Sequence, residues 1–419
     1  MNKYLTSLLL FLVFLFIYYI GSFAKIPFAD CVGFVVETEK GQFAVTATAT
    51  THFLYINTTI LIKNILSLNA IEANRLLVVF SGAATVSIIF LTLKNLIKTD
   101  WVAITSAIVF GFSFSFWKNA EIVEVYTYNT LWISLFFYCI IQNFVQKRNI
   151  YPILAGIFLG ISLWLHIQNI LLIPAYLLFL YYFKDQKKSI LLSFLSFTVL
   201  FSLLFIINTS QGLPLKSPLS SDQGHWVEDS LKKSFLQYVQ DLIKSLFYLI
   251  YNFNVFVIFG ITGIILLYKA NRKMFFVFFT AALLVYGFST FYAVTDNYVF
   301  FLPFNLMFAL AIGYGLSSVR FQALKKYSWC CLLIPFFYFS CFHIALRIPQ
   351  AQNFDNFKKY KGGLEYYMLP WMNNNIGILE FTIDRKKAPE PISWMTISAE
   401  EYIEILKSKG LTPNEIREL

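Results

Sequence analysis

Apolar runs of helix length recur along the chain, over residues 4–24, 75–93, 101–117, 129–146, 151–166, 167–183, 190–208, 246–268, 275–294, 300–318 and 328–347. About twenty apolar residues cross a hydrocarbon core of roughly 30 Å, so the pattern predicts an all-α polytopic membrane protein with about eleven transmembrane helices. The polar breaks fall into two sets. One is short and basic: Lys94/Lys98, Lys147/Arg148, Lys184/Lys187/Lys188, Lys269/Arg272/Lys273 and Arg320/Lys325/Lys326. The other collects Asp30, Glu37, Glu39, Glu121, Glu124, His166 and Asp296. Counted from Lys3, the basic set holds 14 Lys and Arg against two acids, Asp100 and Asp185. Retained Lys and Arg set membrane orientation. The expected topology therefore has a cytoplasmic N-terminus and outward-facing carboxylates. Between 151 and 183 two short spans are expected, joined near His166-Ile167-Gln168-Asn169, because the basic groups on both sides belong to the cytoplasm. A single tilted helix is the alternative there.

Three outward segments are long enough to fold. The first, 25–74, contains an amphipathic stretch at 53–66 suited to the headgroup layer. The second, 209–245, carries Pro214, Pro218, Gly224 and the mixed run Trp226-Val227-Glu228-Asp229. Hydrophobicity then falls, dividing a membrane domain, 1–348, from a small periplasmic α or α+β tail, 349–419. In the tail, Ser398-Ala399-Glu400-Glu401 has capping-box spacing, opening a helix through about Lys409 that Gly410 ends.

Composition narrows the class. Hydrophobic residues make up 58% of the 419 and charged residues 13%, too little polar surface to clothe a water-soluble globule. The net charge of +10 is spread over loops and tail, which argues against a nucleic-acid partner and suits anionic lipid. Cys31, Cys139, Cys330, Cys331 and Cys341 lie in or near apolar stretches without paired ligand spacing, so neither a disulfide frame nor a metal site is expected. No phosphate-cradling, dinucleotide-binding, zinc or nucleophilic-serine motif occurs.

Ionisable groups at membrane depth are costly and therefore candidates for function. Asp30 follows the first span closely and has the position of a general base toward a hydroxyl, or of an acid that solvates a helix end. Glu121 and Glu124, beside Lys118, would share a helical face at i, i+3, where like charges need a cation, proton or substrate between them. A water-exposed loop is the plainer reading. His166, with Gln168 and Asn169, offers donors to a phosphate, or is simply interfacial. Asp296 either caps an external turn or binds substrate beside Asp30.

Four strings carry a resemblance in combination. They are Asp30 after the first span; Phe-Trp-x-x-Ala-x-x-x-Glu-Val-Tyr at 116–126; Gly-x-x-Leu-x-x-His at 160–166 with Pro174 beyond; and Phe-Tyr-x-x-x-Asp-x-Tyr-x-Phe-x-x-Pro at 291–303. Over about residues 1–320 the chain resembles a bacterial family of multi-spanning proteins similar to animal protein O-mannosyltransferases. That resemblance implies the glycosyltransferase C architecture, a polyprenyl-phosphate-linked sugar such as mannose as co-substrate, no cofactor, and transfer with inversion at the outer face of the bacterial inner membrane. The acceptor would be a protein, glycan or lipid hydroxyl. It further implies Asp30 as the catalytic base. Substrate binding would fall to Glu121, Glu124, Tyr126, His166, Asp296, His52 and Lys118, with Lys25 and Lys118 as phosphate partners by charge. The chain departs from the family in two places. Asp30-Cys31-Val32-Gly33 lacks the acid of the usual Asp-x-Gly-Glu, and Thr51-His52-Phe53-Leu54-Tyr55 keeps only His and a Tyr where His-Pro-Pro-Gly is usual. A transporter or flippase, or a catalytically silent family member, are the competing readings.

Overall fold

The computed structural model describes residues 2–220, 225–294 and 296–419; Gly224 of the second outer segment and Thr295 of the 291–303 string lie outside them. Among the described residues there is no strand. Helices α1 (Lys3–Gly21), α2 (Cys31–Lys40), α3 (Phe53–Leu66), α4 (Ala70–Ile97), α5 (Asp100–Gly111), α6 (Phe114–Ala120), α7 (Tyr126–Gln146) and α8 (Ile150–Ser162) form the first half. A 3₁₀ turn at Ile167–Leu172 leads to α9 (Ile173–Tyr182), followed by α10 (Lys187–Ser210), α11 (Trp226–Leu231), α12 (Phe235–Phe253), α13 (Val257–Ala270), α14 (Arg272–Phe291), α15 (Leu302–Leu316) and α16 (Ile334–Ala345).

The expected count of eleven spans is not confirmed among the described residues. Seven helical segments are long and apolar enough to cross a bilayer, or eight if the bent α5–α6 pair is one span. Helix α8 has 13 residues and α9 has 10, and at about 1.5 Å per residue neither reaches across the hydrocarbon core alone. Helix α7 has the length, but Asn129, Gln142 and Asn143 dilute its hydropathy. The run expected to be one straight span at 101–117 bends by 67° between α5 and α6. Helix α6 is buried throughout, with the character of a re-entrant segment.

The 151–183 stretch is a hairpin, not one tilted helix. Gln186 donates to the Lys147 carbonyl (3.0 Å) and accepts from Asn143 (3.2 Å), which returns the chain to the end where α8 began. The same face of the bundle holds the Lys3–Asn95 bond (2.9 Å) and Lys273 over the Tyr182 ring (5.7 Å). The basic loops thus gather on one side. The second outer segment is shorter than expected, because a Ser234/Gln237 capping box starts α12 at Phe235 and carries the chain on toward α13.

On the opposite face the first loop and the tail form one layer. The tail comprises α17 (Pro349–Lys358), α18 (Gly363–Met368), α19 (Ile378–Ile383), α20 (Ser393–Ser408) and α21 (Pro413–Arg417). The expected capping box at Ser398 is not a helix start: α20 already begins at Ser393, and the Ser398 hydroxyl donates back to the Trp394 carbonyl. Gly410 does follow the helix end, at φ 89°. Phe28, Val32 and Val35 of the first loop share a buried cluster with Phe381, Tyr402 and Ile403 of the tail. Backbone bonds from Ile26 to Leu419 (2.7 Å) and from Ile378 to Ile26 (2.9 Å) stitch the two together. Beneath them, Tyr55 donates to Asn74 (2.9 Å), Asn74 to Thr38 (3.0 Å), and Thr38 meets Thr59 (2.8 Å), a buried chain that fixes α2 and α3 on α4.

Candidate functional site

Asp30 stands at the N-cap of α2, yet its carboxylate does not cap the helix, and among the described residues it makes no hydrogen bond or ion pair. Ala29 before it takes a φ of 91°, turning the chain so that Asp30 reaches solvent. The side chain is exposed at its surface while protein surrounds it, as at the mouth of a recess. Desolvation by that surrounding protein, with the charge of Asp296 added, pushes the Asp30 carboxyl up to about 6.

Glu124 lies in the bend between α6 and α7, not on a helix; the expected i, i+3 face with Glu121 does not form, because α6 ends at Ala120. Ile122, Val123 and Val125 anchor the bend in the outer-layer core. Glu124 is buried, and desolvation together with the charges of Asp30 and Asp296 holds it well above the usual carboxylate range. Asp296 is raised as well, mainly by desolvation, with Lys361 and Lys244 opposing. The charges of three carboxylates from distant parts of the sequence therefore bear on one another.

The two histidines line the same region. Their rings are 5.4 Å apart, and His166 lies 5.8 Å from Tyr126 and 5.5 Å from Phe300, centroid to centroid. Tyr126 feels all three carboxylates. The Leu165 carbonyl at 2.8 Å makes His52 Nδ1 a donor, which leaves Nε2 to accept. His166 Nδ1 instead accepts from the Gln168 amide (3.2 Å), so its proton sits on Nε2. Burial and the neighbouring His52 push His166 down to about 3, so it is a neutral donor. Gln168 also donates to the Phe300 carbonyl (2.8 Å), and Asn169 to Asn129 (2.6 Å), locking the His166 turn to the Asp296 loop and to α7.

Glu121 and Lys118 each have partners of their own. Glu121 accepts from Trp117 Nε1 (2.5 Å) and from the Met372 amide (3.1 Å), and a Cβ on Gly21 would lie 2.0 Å from its oxygen. It joins α1, α6 and the tail. Lys118 donates to the Tyr366 carbonyl and lies 4.0 Å from that ring's centroid. Lys25 is paired with Glu380 (3.1 Å) and Glu418 (3.4 Å). The cations whose charge bears on Asp296 are Lys244 of α12 and Lys361 of the tail. Neither stood out in sequence: Lys361 sits in a charged run, and Lys244 at the edge of an apolar one. Among the described residues no group of three or more His, Cys, Asp or Glu is arranged to hold a metal ion.

The bundle holds seven helical segments, or eight with the bent pair, that are long and apolar enough to cross a membrane, and it shares its fold with solved proteins. It is similar to ArnT from Cupriavidus metallidurans in the apo state, with a TM-score of 0.55 at 10% identity over 94% of this chain and 74% of that one. The same protein bound to undecaprenyl phosphate gives 0.52. The Archaeoglobus fulgidus oligosaccharyltransferase in complex with Zn and sulfate gives 0.54 at 13% identity, over 93% of this chain and 57% of that one. Residues 12–190 match the family model described as the Protein O-mannosyl-transferase TMEM260 N-terminal domain. No curated protein sequence matches the chain.

Proposed function

We propose that the protein is an inverting glycosyltransferase that moves a sugar from a polyprenyl-phosphate donor to an acceptor hydroxyl at the outer face of the bacterial inner membrane, with Asp30 as general base. The observation that carries this reading is an unpaired, solvent-reaching carboxylate raised to about 6 by the surrounding protein and by the charge of Asp296, with the buried Glu124 close enough to feel both charges. A base with that affinity is largely ionised at neutral pH and still takes a proton readily. The acceptor O–H gives its proton to Asp30 as the oxygen bonds to the anomeric carbon. The bond from that carbon to the phosphate oxygen breaks on the opposite face, and polyprenyl phosphate leaves with the electron pair. Glu124, whose burial favours the protonated carboxyl, and His166 through Nε2–H supply donors to sugar hydroxyls, while Tyr126 forms a wall of the sugar pocket. No cofactor is required. The lipid donor is favoured by the solved ArnT complex with undecaprenyl phosphate and by the lack of a phosphate-cradling loop for nucleotide sugars.

The test is an assay of purified protein in nanodiscs with a panel of polyprenyl-phosphate sugars, mannose included. The expected result is release of polyprenyl phosphate and a product of inverted anomeric configuration by NMR. Transfer from nucleotide sugars only, or charge-coupled solute uptake without transfer, would reject the reading.

A further inference from the structure

A groove of a different character lies at the end of the bundle that carries the basic loops. Helices α13 and α14 are joined by one residue, Asn271, and both pack on α15. Between the three is a space of about 630 Å³, counted out to its open side, lined among others by Ile264 and Leu267 of α13, Phe275 and Phe279 of α14, and Met307 and Ala311 of α15. Ile264 and Phe279 are exposed, so the groove opens sideways toward lipid. Of its lining side chains only Tyr314 carries a hydroxyl. Water there would lack hydrogen-bond partners. From Tyr314 to Phe304 the groove follows α15 for about 15 Å at 1.5 Å per residue, half of a hydrocarbon core of roughly 30 Å. Its depth is that of one leaflet. The end formed by Leu267 and Met274 is flanked in sequence by Lys269, Arg272 and Lys273, all exposed. Among the described residues none of the three is in an ion pair. Arg272 is the one on the groove side: it shares a face of α14 with Phe275 and Phe279, whose rings stack at 5.2 Å. Its guanidinium lies 5.3 Å from the Tyr268 ring, and Tyr268 lies 5.0 Å from Phe275. The Asn271 side chain accepts from the Met274 amide at 3.0 Å, which fixes the turn that carries Arg272. Lys273 turns away, to the Tyr182 ring of α9 at 5.7 Å.

We propose that this groove holds one acyl chain of an anionic phospholipid from the leaflet on the basic side, with Arg272 binding its phosphate and Lys269 beside it. The groove is separate from the Asp30 recess, so the proposal does not depend on the reaction. The apolar length fits a chain confined to one leaflet, and the cations stand at the end where the headgroup of that lipid lies. A guanidinium presents paired N–H donors that match two phosphate oxygens. Two cations without carboxylate partners favour a lipid of net negative charge over a zwitterionic one, whose own ammonium offsets its phosphate. A polyprenyl phosphate serving the Asp30 recess has its phosphate at the opposite face, where Arg272 does not reach. Ala311 both lines the groove and meets Gly263, so a bound chain supports the contact of α13 with α15.

The experiment is native mass spectrometry of the full-length protein in detergent, with phosphatidylglycerol, phosphatidylcholine of the same chains, glycerol phosphate and a polyprenyl monophosphate added in separate arms. Phosphatidylglycerol should bind about tenfold more tightly than phosphatidylcholine, the order expected for two cations near one phosphate. Glycerol phosphate should not compete. Arg272→Gln should remove most of that preference and leave phosphatidylcholine binding unchanged, whereas Lys273→Gln, whose cation faces α9, should keep it. Ala282→Trp, which fills the groove, should weaken both phospholipids, with thermal unfolding in the absence of added lipid as the check on its fold. Arg272→Gln, a change at an exposed side chain, tests the proposal even if Ala282→Trp does not fold. Equal affinity for the two phospholipids, or a preference that survives Arg272→Gln, would overturn the proposal. Phosphatidylglycerol binding unchanged in a folded Ala282→Trp would overturn the groove as its seat. Polyprenyl phosphate displacing phosphatidylglycerol, with its own affinity lost in Arg272→Gln, would overturn the phospholipid as the occupant.

Discussion

Asp30 is the residue on which chemistry and stability pull apart. Its carboxyl is raised from 3.8 to about 6 in the fold, so the native state holds a proton more tightly than the unfolded chain does. Its ionisation therefore opposes folding: the cost is absent below the unfolded value, grows as pH rises between the two, and is complete above about 6. Asp30→Asn should raise Tm at pH 7.5 and not at pH 4, by up to about 1 kcal/mol once solvent screening of this exposed group is discounted. A lower Tm at pH 7.5 would contradict this. The rate should follow the opposite logic, since only the ionised form accepts a proton. The logarithm of kcat/KM is expected to fall with unit slope as pH drops below about 6 and to level off above it; a profile flat from pH 5 to 8 would remove Asp30 as the titrating base.

At the scale of elements, the site depends on joints that bring distant loops together. Glu121 is one of them, with both oxygens used inside a junction of α1, α6 and the tail. Glu121→Ala should lower stability by about 2–3 kcal/mol, leaving two buried donors unpaired, without moving the pH profile. A shifted profile would mean that Glu121 takes part in proton transfer. The contact of α13 with α15 is a second joint: a Cβ on Gly263 would lie 1.8 Å from the Ala311 carbonyl oxygen, and one on Gly315 would lie 1.9 Å from that of Phe259. What sequence revealed at this scale was local. Apolar runs located most helices, and the four polar strings marked loops that do meet. The bend after Gly111 was hidden, because no proline marks it. Its cause is tertiary: Phe14 packs against Gly111, with a ring atom 2.4 Å from where a Cβ would stand. The partners of Glu121 and Lys118 were hidden for a similar reason, since Met372 and Tyr366 lie far along the chain, at separations of 251 and 248.

For the whole molecule, the tail is part of the outer layer. Its backbone completes the first loop through Ile26 and Leu419, and the charge of its Lys361 bears on Asp296. Composition alone showed a charged, less apolar stretch and gave no means of placing it, because contacts so far apart in sequence leave no periodic trace. The arrangement puts tail and carboxylate loops on one face and basic loops on the other, and the proposed sidedness is testable. In intact cells with a permeabilised outer membrane, Glu404→Cys should react with an impermeant maleimide, while Lys188→Cys should react only after lysis. The reverse pattern would invert the topology and place the site in the cytoplasm. The central claim is tested most directly by single-turnover transfer from a polyprenyl-phosphate sugar with Asp30→Asn in nanodiscs. The account predicts a loss of about 10²–10⁴-fold with donor binding and folding intact; transfer within tenfold of wild type would contradict it.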